Sequence, residues 1–236
     1  MDRKQIKHNA KDGMHFRYWP IVGIELIAGV LTGGGFSIGS SFSNNSSNWQ
    51  QASNNEYAAG IMSILAVIGA IAAAVGIVYM ILFGNVISVG QSGVRLAAYR
   101  KQEFAIKDLF KGLKRYGRIV GTMALYTLFV MLGFFCFIVP GIIVAYGLFE
   151  VPYLLSEDES LSGMAAIRRS WEDMKGYKGK LFVLHLSFFG WAMLTILTLG
   201  VLSVFYTGPY MALSEAGFFH ERQQLNAAET GATPEA

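Results

Sequence analysis

The sequence predicts an all-α fold, an integral membrane helical bundle of about six transmembrane helices arranged as three hairpins with short cytoplasmic amphipathic helices. Three observations carry this. The chain is 53% apolar and only 15% charged over 236 residues, where a soluble domain carries about 25% charge. Apolar runs about as long as a bilayer is thick recur along it. Its 19 Lys and Arg residues gather in four places, which leaves other connections free of positive charge.

Residues 1 to 18 are basic, with Arg3, Lys4, Lys7, Lys11 and Arg17 against Asp2 and Asp12. Ile6, Ala10 and Met14 recur every fourth position, one face of a surface helix. The glycine-rich apolar run 19–39 follows. A signal peptide is the rival reading there, opposed by the long charged lead and the lack of an Ala-x-Ala-like site. Residues 40 to 57 are rich in Ser and Asn and hold no basic side chain, which reads as a solvated loop. The next apolar run, 58–92, exceeds one span. It is expected to continue into the cytoplasm or to kink near Gly84 or Gly90.

Residues 93 to 118 contain Arg95, Arg100, Lys101, Lys107, Lys111, Lys114, Arg115 and Arg118. Ile106, Leu109, Phe110 and Leu113 repeat at helical spacing among them. A basic amphipathic helix of this kind suits an anionic membrane surface, with Lys107, Lys111, Lys114 and Arg115 as candidate lipid-headgroup contacts. Packing on the ends of the spans is the equal alternative.

From Ile119 to Leu155 the chain is almost unbroken apolar sequence. As one helix it would reach about 55 Å, nearly twice the ~30 Å of bilayer hydrocarbon, so a break at Pro140 and Gly141 is expected. In the polar segment 156–180, Ser160 or Ser162 can cap a helix, Met164, Ile167, Trp171 and Met174 line one face, and Gly176 can end it. Residues 181 to 219 are again too long for one span, with Gly200 or Pro209 as the expected break.

The positive-inside rule then places both termini and both basic segments in the cytoplasm. Paired crossings give spans of about 19–39, 58–84, 119–139, 141–155, 181–200 and 203–219. The fourth is short enough for a re-entrant segment to remain an alternative. Residues 1 to 222 form one transmembrane helical domain, and 223 to 236 a disordered cytoplasmic tail.

A resemblance supports the second half of this reading. The residues that carry it are Pro140-Gly141-Ile142, Ala166-Ile167, Ser170, Met174-Lys175-Gly176, the run Leu181-Phe182-Val183-Leu184 with Leu186-Ser187-Phe188 and Gly190-Trp191, then Thr198-Leu199-Gly200 and Pro209-Tyr210. With Lys7 and Ala10 near the start, this resembles an uncharacterised bacterial family of small multi-span membrane proteins, the domain of unknown function numbered nine hundred and seventy-five. The resemblance covers about 118 to 220 and implies a helical protein of the bacterial plasma membrane with no established activity. His185 stands where an acidic residue is usual in that family.

No phosphate-binding glycine loop, metalloprotease helix motif, nucleophile elbow or paired cysteine is present, and Cys136 is the single cysteine. The sequence therefore predicts no enzyme, no metal and no cofactor. Polar residues within the spans are the candidate chemistry. Glu25, Asn85, Glu150, His185 and Glu215 fall at similar depth from the inner boundaries, on five different spans. Such groups need a partner or a wet cavity in hydrocarbon. They form either an inner-leaflet layer that binds an ion, a proton or a ligand, or structural pairs. Tyr126, Tyr146, Tyr153, Trp191 and Tyr210 read as packing or interface anchors. Three functions stay open: a membrane scaffold or accessory protein contacting anionic lipid, a small transporter or channel, and, least favoured, a membrane enzyme. Membrane lipids, a second copy or another membrane protein are the expected partners, and nucleic acid is not.

Overall fold

A computed structural model describes residues 3–31, 64–65, 67–71, 75–76, 79, 83–198 and 200–230. Among them every regular element is helical. In chain order these are α1 (Arg3–Phe16), α2 (Tyr18–Leu31), α3 (Asn85–Tyr99), a 3₁₀ helix (Ile106–Arg115), α4 (Tyr116–Cys136), α5 (Ile138–Gly147), α6 (Val151–Glu157), α7 (Gly163–Asp173), α8 (Lys178–Leu186), α9 (Phe189–Leu197), a π turn (Ser203–Thr207) and α10 (Gly208–Thr230).

The helix at the centre of the packing is α3. The 3₁₀ helix, α6, α10, α2 and α1 all lie against it. It buries Val86, Val89, Val94 and Leu96 together with Gln91 and Ser92, as expected of a helix surrounded by others. The sequence reading treats this stretch as the end of a span leading into a basic loop. The structure makes it the centre of the fold. Gly90 explains the closest approach, since a Cβ there would stand 2.0 Å from the carbonyl oxygen of Leu109. It is a contact point, while the irregular turn falls at Phe83 and Gly84.

The first helix behaves as its periodicity predicts. Ile6, Ala10 and Met14 are buried in one core cluster with Leu213, Ala216 and Phe219 of α10. A second cluster joins Ile119 and Met123 of α4 to Val151 and Leu155 of α6 and Ala166 and Ile167 of α7. In α7, the Ser162 hydroxyl accepts a hydrogen bond from the Ala165 N–H at 3.3 Å. Gly176 follows in the left-handed region at φ +77°. Met174 and Ile167 are buried, but Met164, expected on the same face, is exposed. The start of α7 presses Gly163 onto Thr122, where a Cβ would lie 2.0 Å from Oγ1, and Met164 is left outside that contact.

The long apolar stretch breaks where extended backbone at Phe137 (φ −170°, ψ 160°) separates α4 from α5, three positions before the expected Pro140-Gly141. Pro140 sits in the first turn of α5, where its missing N–H costs no helical bond. Gly141 lets the two arms close, because a Cβ there would meet the Phe134 ring at 2.5 Å. The later break does fall at Gly200, with φ +87°.

Among the described residues, three helical stretches are long and apolar enough to cross a membrane: Ile106–Cys136, Ile138–Glu157 and Lys178–Leu197. About six such helices are expected from the sequence. The fourth expected span gains length because α5 and α6 together make a stretch of 20 residues. The first is represented by the shorter apolar helix Tyr18–Gly29, and most of the second lies outside the described residues. The sixth is absorbed into α10, whose length includes Glu215, His220, Glu221 and Arg222. That helix continues past Gln223 to Thr230, within the segment 223–236 expected to be a tail. Residues 231 to 236 lie outside the described residues.

Candidate functional site

Glu25 meets α3 through two side chains one turn apart. Gln91 and Arg95, at i and i+4, share a helix face. Gln91 Nε2 donates to Glu25 Oε2 at 2.6 Å. Arg95 donates from Nε to Oε1 at 2.7 Å and from Nη2 to Oε2 at 2.9 Å. This is the two-pronged guanidinium–carboxylate geometry that fixes orientation as well as charge. The sequence places Arg95 among the cytoplasmic basic residues; the structure turns it inward onto Glu25, with its side chain 23% exposed. The signal was present in the sequence. Gln91, at the end of the 58–92 run, and Arg95, just beyond it, have the spacing of one helix face.

His185 of α8 and Glu215 of α10 form a second pair, with Nε2 and Oε1 3.1 Å apart. The other ring nitrogen, Nδ1, lies 3.0 Å from the Tyr146 hydroxyl. A neutral imidazole satisfies both contacts when Nε2–H donates to the carboxylate and Nδ1 accepts from the phenol. Arg95 is also acted on electrostatically by Glu215 and by the buried Tyr153. The structure thus holds Glu25 in one pair, with Arg95, and His185 with Glu215 in another.

Glu150 belongs to a different cluster. It is 1% exposed, and its Oε1 stands 4.0 Å from Nε of Arg222, which is 3% exposed. The peptide N–H of Glu150 donates to Ser170 Oγ at 3.2 Å, and that hydroxyl donates to the Gly147 carbonyl at 3.0 Å. Arg222 donates through Nη2 to the Asp173 carbonyl and, at 2.7 Å, to Asn226 Oδ1. Its guanidinium lies 3.9 Å above the Tyr177 ring. Burial raises the Asp173 carboxyl above the ordinary range, against the opposing pull of Arg169 and Arg222. Glu150 Oε1, Arg222 Nε and Nη1 and the Tyr153 hydroxyl are buried and make no hydrogen bond within the described residues.

Asn85 opens α3, about 15 Å along that helix from Arg95 at 1.5 Å per residue. It therefore does not share the level of Glu25, and its carbonyl accepts the Ser88 hydroxyl at 3.0 Å. The single polar layer expected from the sequence resolves into Glu25 paired with Arg95, His185 paired with Glu215, Glu150 beside Arg222, and Asn85 about 15 Å along α3 from Arg95. The expected aromatic anchors include two that are core residues, with Tyr153 2% and Tyr210 4% exposed.

The candidate headgroup residues also divide. Lys107, Lys111 and Lys114 are exposed on the 3₁₀ helix, and Lys111 pairs with Asp108 at 3.1 Å. Arg115 turns inward, donating to the Leu155 carbonyl at 3.2 Å and the Asp158 carbonyl at 3.4 Å. It is occupied with the carboxyl-terminal end of α6, where helix carbonyls attract a cation, and is not placed as a headgroup contact. Among the described residues no group of three or more His, Cys, Asp or Glu is placed to hold a metal ion.

The class these features define is, among the described residues, an all-α chain with three helices long and apolar enough to cross a membrane and with buried charges set against one another. Its carboxyl-terminal part, residues 122–226, matches the model of the family described as protein of unknown function (DUF975), the family the sequence resembles. No curated protein and no solved structure matches the chain.

Proposed function

We propose that the chain is a multi-pass protein of the bacterial cell membrane, with both termini cytoplasmic, that acts as a scaffold or accessory protein resting its basic helix on anionic lipid. One observation carries the reading. Ile106, Phe110 and Leu113 are 52%, 40% and 43% exposed, on the same short helix as the exposed Lys107, Lys111 and Lys114. In water such a face is costly. At a bilayer surface the apolar side chains enter the headgroup boundary while the ammonium groups meet lipid phosphates, about 1 kcal/mol for each cation. The bundle placement is supported by the exposed apolar side chains at the hairpin turns, among them Phe135, Phe137 and Leu197.

The buried charges favour a structural role over transport. Glu25 is held by Arg95 and Gln91, and His185 by Glu215 and Tyr146, so neither group waits for a ligand. The reading includes no catalytic role. The test is hydrogen exchange over residues 106–115 in the full chain, reconstituted with phosphatidylglycerol or with phosphatidylcholine alone. Protection in the anionic bilayer that fades at high salt is expected. Exchange indifferent to lipid charge sinks the proposal. Reporter fusions that place either terminus outside would sink the topology.

A further inference from the structure

Three helices meet at one guanidinium, that of Arg100. It follows the last residue of α3, where the free carbonyls of a helix end favour a cation. Its Nη1 pairs at 2.7 Å with Oε1 of Glu157, the last residue of α6. Its Nη2 donates to Gln223 Oε1 of α10 at 2.8 Å, and its Nε donates to Nδ1 of His220, also on α10, at 3.1 Å. The Gln223 amide nitrogen donates in turn to the second Glu157 oxygen. A guanidinium only donates. His220 Nδ1 therefore presents its lone pair, and the imidazole is neutral with its proton on Nε2. That nitrogen lies 3.1 Å from the side-chain amide of Gln224, whose oxygen accepts from it. The Tyr99 ring meets the imidazole edge-on, 5.8 Å between centres.

Protonation cannot leave this arrangement intact. It would set an Nδ1–H against the Nε–H of Arg100, two donors and two positive charges across 3.1 Å. Among the described residues, the charged and titratable groups around the ring are Tyr99, Arg100 and Lys101 at the end of α3, Glu157 of α6 and Glu221 of α10, while α1 offers the neutral Gln5 and Asn9. Burial and Arg100 disfavour the imidazolium, and Glu157, already paired with Arg100, offsets them only in part. We infer that His220 is a proton-operated release on this clasp. Neutral, it ties α10 to Arg100 and through it to the ends of α3 and α6. Protonated, it turns Arg100 away, and residues 223–230 loosen from α3 and α6. The cleft of about 580 Å³ that α1, α3 and α10 share then widens. Arg222 is the pivot, since its bonds to the Asp173 carbonyl and Asn226 involve no imidazole. The release goes beyond the lipid contact proposed for the 3₁₀ helix and does not depend on it.

The experiment uses the full chain in micelles. Nitrogen NMR of histidine-labelled protein reads the tautomer and the titration, with His220 assigned by the signal lost in His220→Gln. The proton is expected on Nε2 near neutral pH, and the midpoint below the ordinary 6.5 of histidine. Arg100→Gln should raise that midpoint. Pulsed electron resonance between spin labels on Gln102→Cys and Ala228→Cys, both exposed positions, in a Cys136→Ser background reads the movement. The distance should lengthen as pH falls from about 7.5 to about 5.5. It should stay fixed in His220→Gln, whose amide oxygen can accept from Arg100 and takes up no proton. A proton on Nδ1 near neutral pH, a midpoint that Arg100→Gln leaves unchanged, a wild-type distance indifferent to pH, or the same lengthening in His220→Gln each overturns the inference.

Discussion

Replacing Arg222 by Met should be among the most damaging single changes in this protein. Arg222 and Glu150 are 3% and 1% exposed and 4.0 Å apart at their nearest charged atoms. Removing the cation leaves the carboxylate buried without its nearest partner, a change that costs about 3–5 kcal/mol in protein interiors. The hydrogen bonds to the Asp173 carbonyl and Asn226 go with it, at about 1 kcal/mol each. The contact over Tyr177 is lost too. Glu150→Gln should cost far less, within about 1 kcal/mol. Its Oε1 accepts no hydrogen bond within the described residues, and Arg222 keeps Asp173 as a second interacting carboxylate. The double variant Glu150→Gln, Arg222→Met should recover part of the Arg222→Met loss, because no orphaned charge at position 150 remains. Unfolding in mixed micelles, followed by tryptophan fluorescence, measures all three. A loss of 3 kcal/mol is more than a hundredfold in the unfolding constant. Arg222→Met within about 1 kcal/mol of wild type, or Glu150→Gln the worse of the two, would refute the reasoning.

Three other outcomes follow from single positions. Gly90→Ala puts a Cβ 2.0 Å from the Leu109 carbonyl oxygen, so it should lower the melting temperature despite the better helix propensity of Ala, and a thermal scan reads it. Lys101 ends α3 in the left-handed region at φ 56°. Lys101→Gly should therefore stabilise by about 1 kcal/mol in the same micelle unfolding assay. The His220 pKa is lowered from its ordinary 6.5 by burial and by Arg100. The folded state then binds fewer protons than the unfolded one below that value, so His220 should cost stability as pH falls from 6.5 toward its folded pKa. Melting curves between pH 7.5 and 5 should show the fall, and His220→Gln should flatten it.

The parts of the fold legible in the sequence are those where one helix face or one turn decides the outcome. Ile6, Ala10 and Met14 are buried at the spacing that announces them. Ser162 and Gly176 bound α7 by local hydrogen bonding and by a backbone angle that glycine tolerates. Gly200 breaks the last hairpin for the same reason. The turn near Pro140 falls three positions before it, at Phe137, because proline marks a helix end ambiguously. It stops a helix that precedes it and starts one that contains it in the first turn.

Charge location was legible only where charge stays at the surface. Counting cations by segment treats Arg95 and Arg115 as equivalent to Lys107 and Lys111, since all four lie in the basic stretch after the second run. The structure separates them by what each side chain can reach. Arg95 is one helical turn from Gln91 and faces Glu25, a pairing distant in sequence that only the docking of α2 on α3 creates. Arg115 begins α4 beside the carbonyl end of α6, a neighbour set by the hairpin between them. Lys107 and Lys111 reach no such buried acceptor and remain outside. The candidate acids divide by the same logic. Similar depth on several spans is a coordinate along the bilayer normal, and it does not say which helices are neighbours in the plane. Glu25 meets Arg95 because α2 borders α3, Glu215 meets His185 of α8, and Glu150 faces α7 and the far end of α10. Two carboxylates at one depth can therefore sit in separate clusters, and each is neutralised by whichever arginine its own helix neighbours supply.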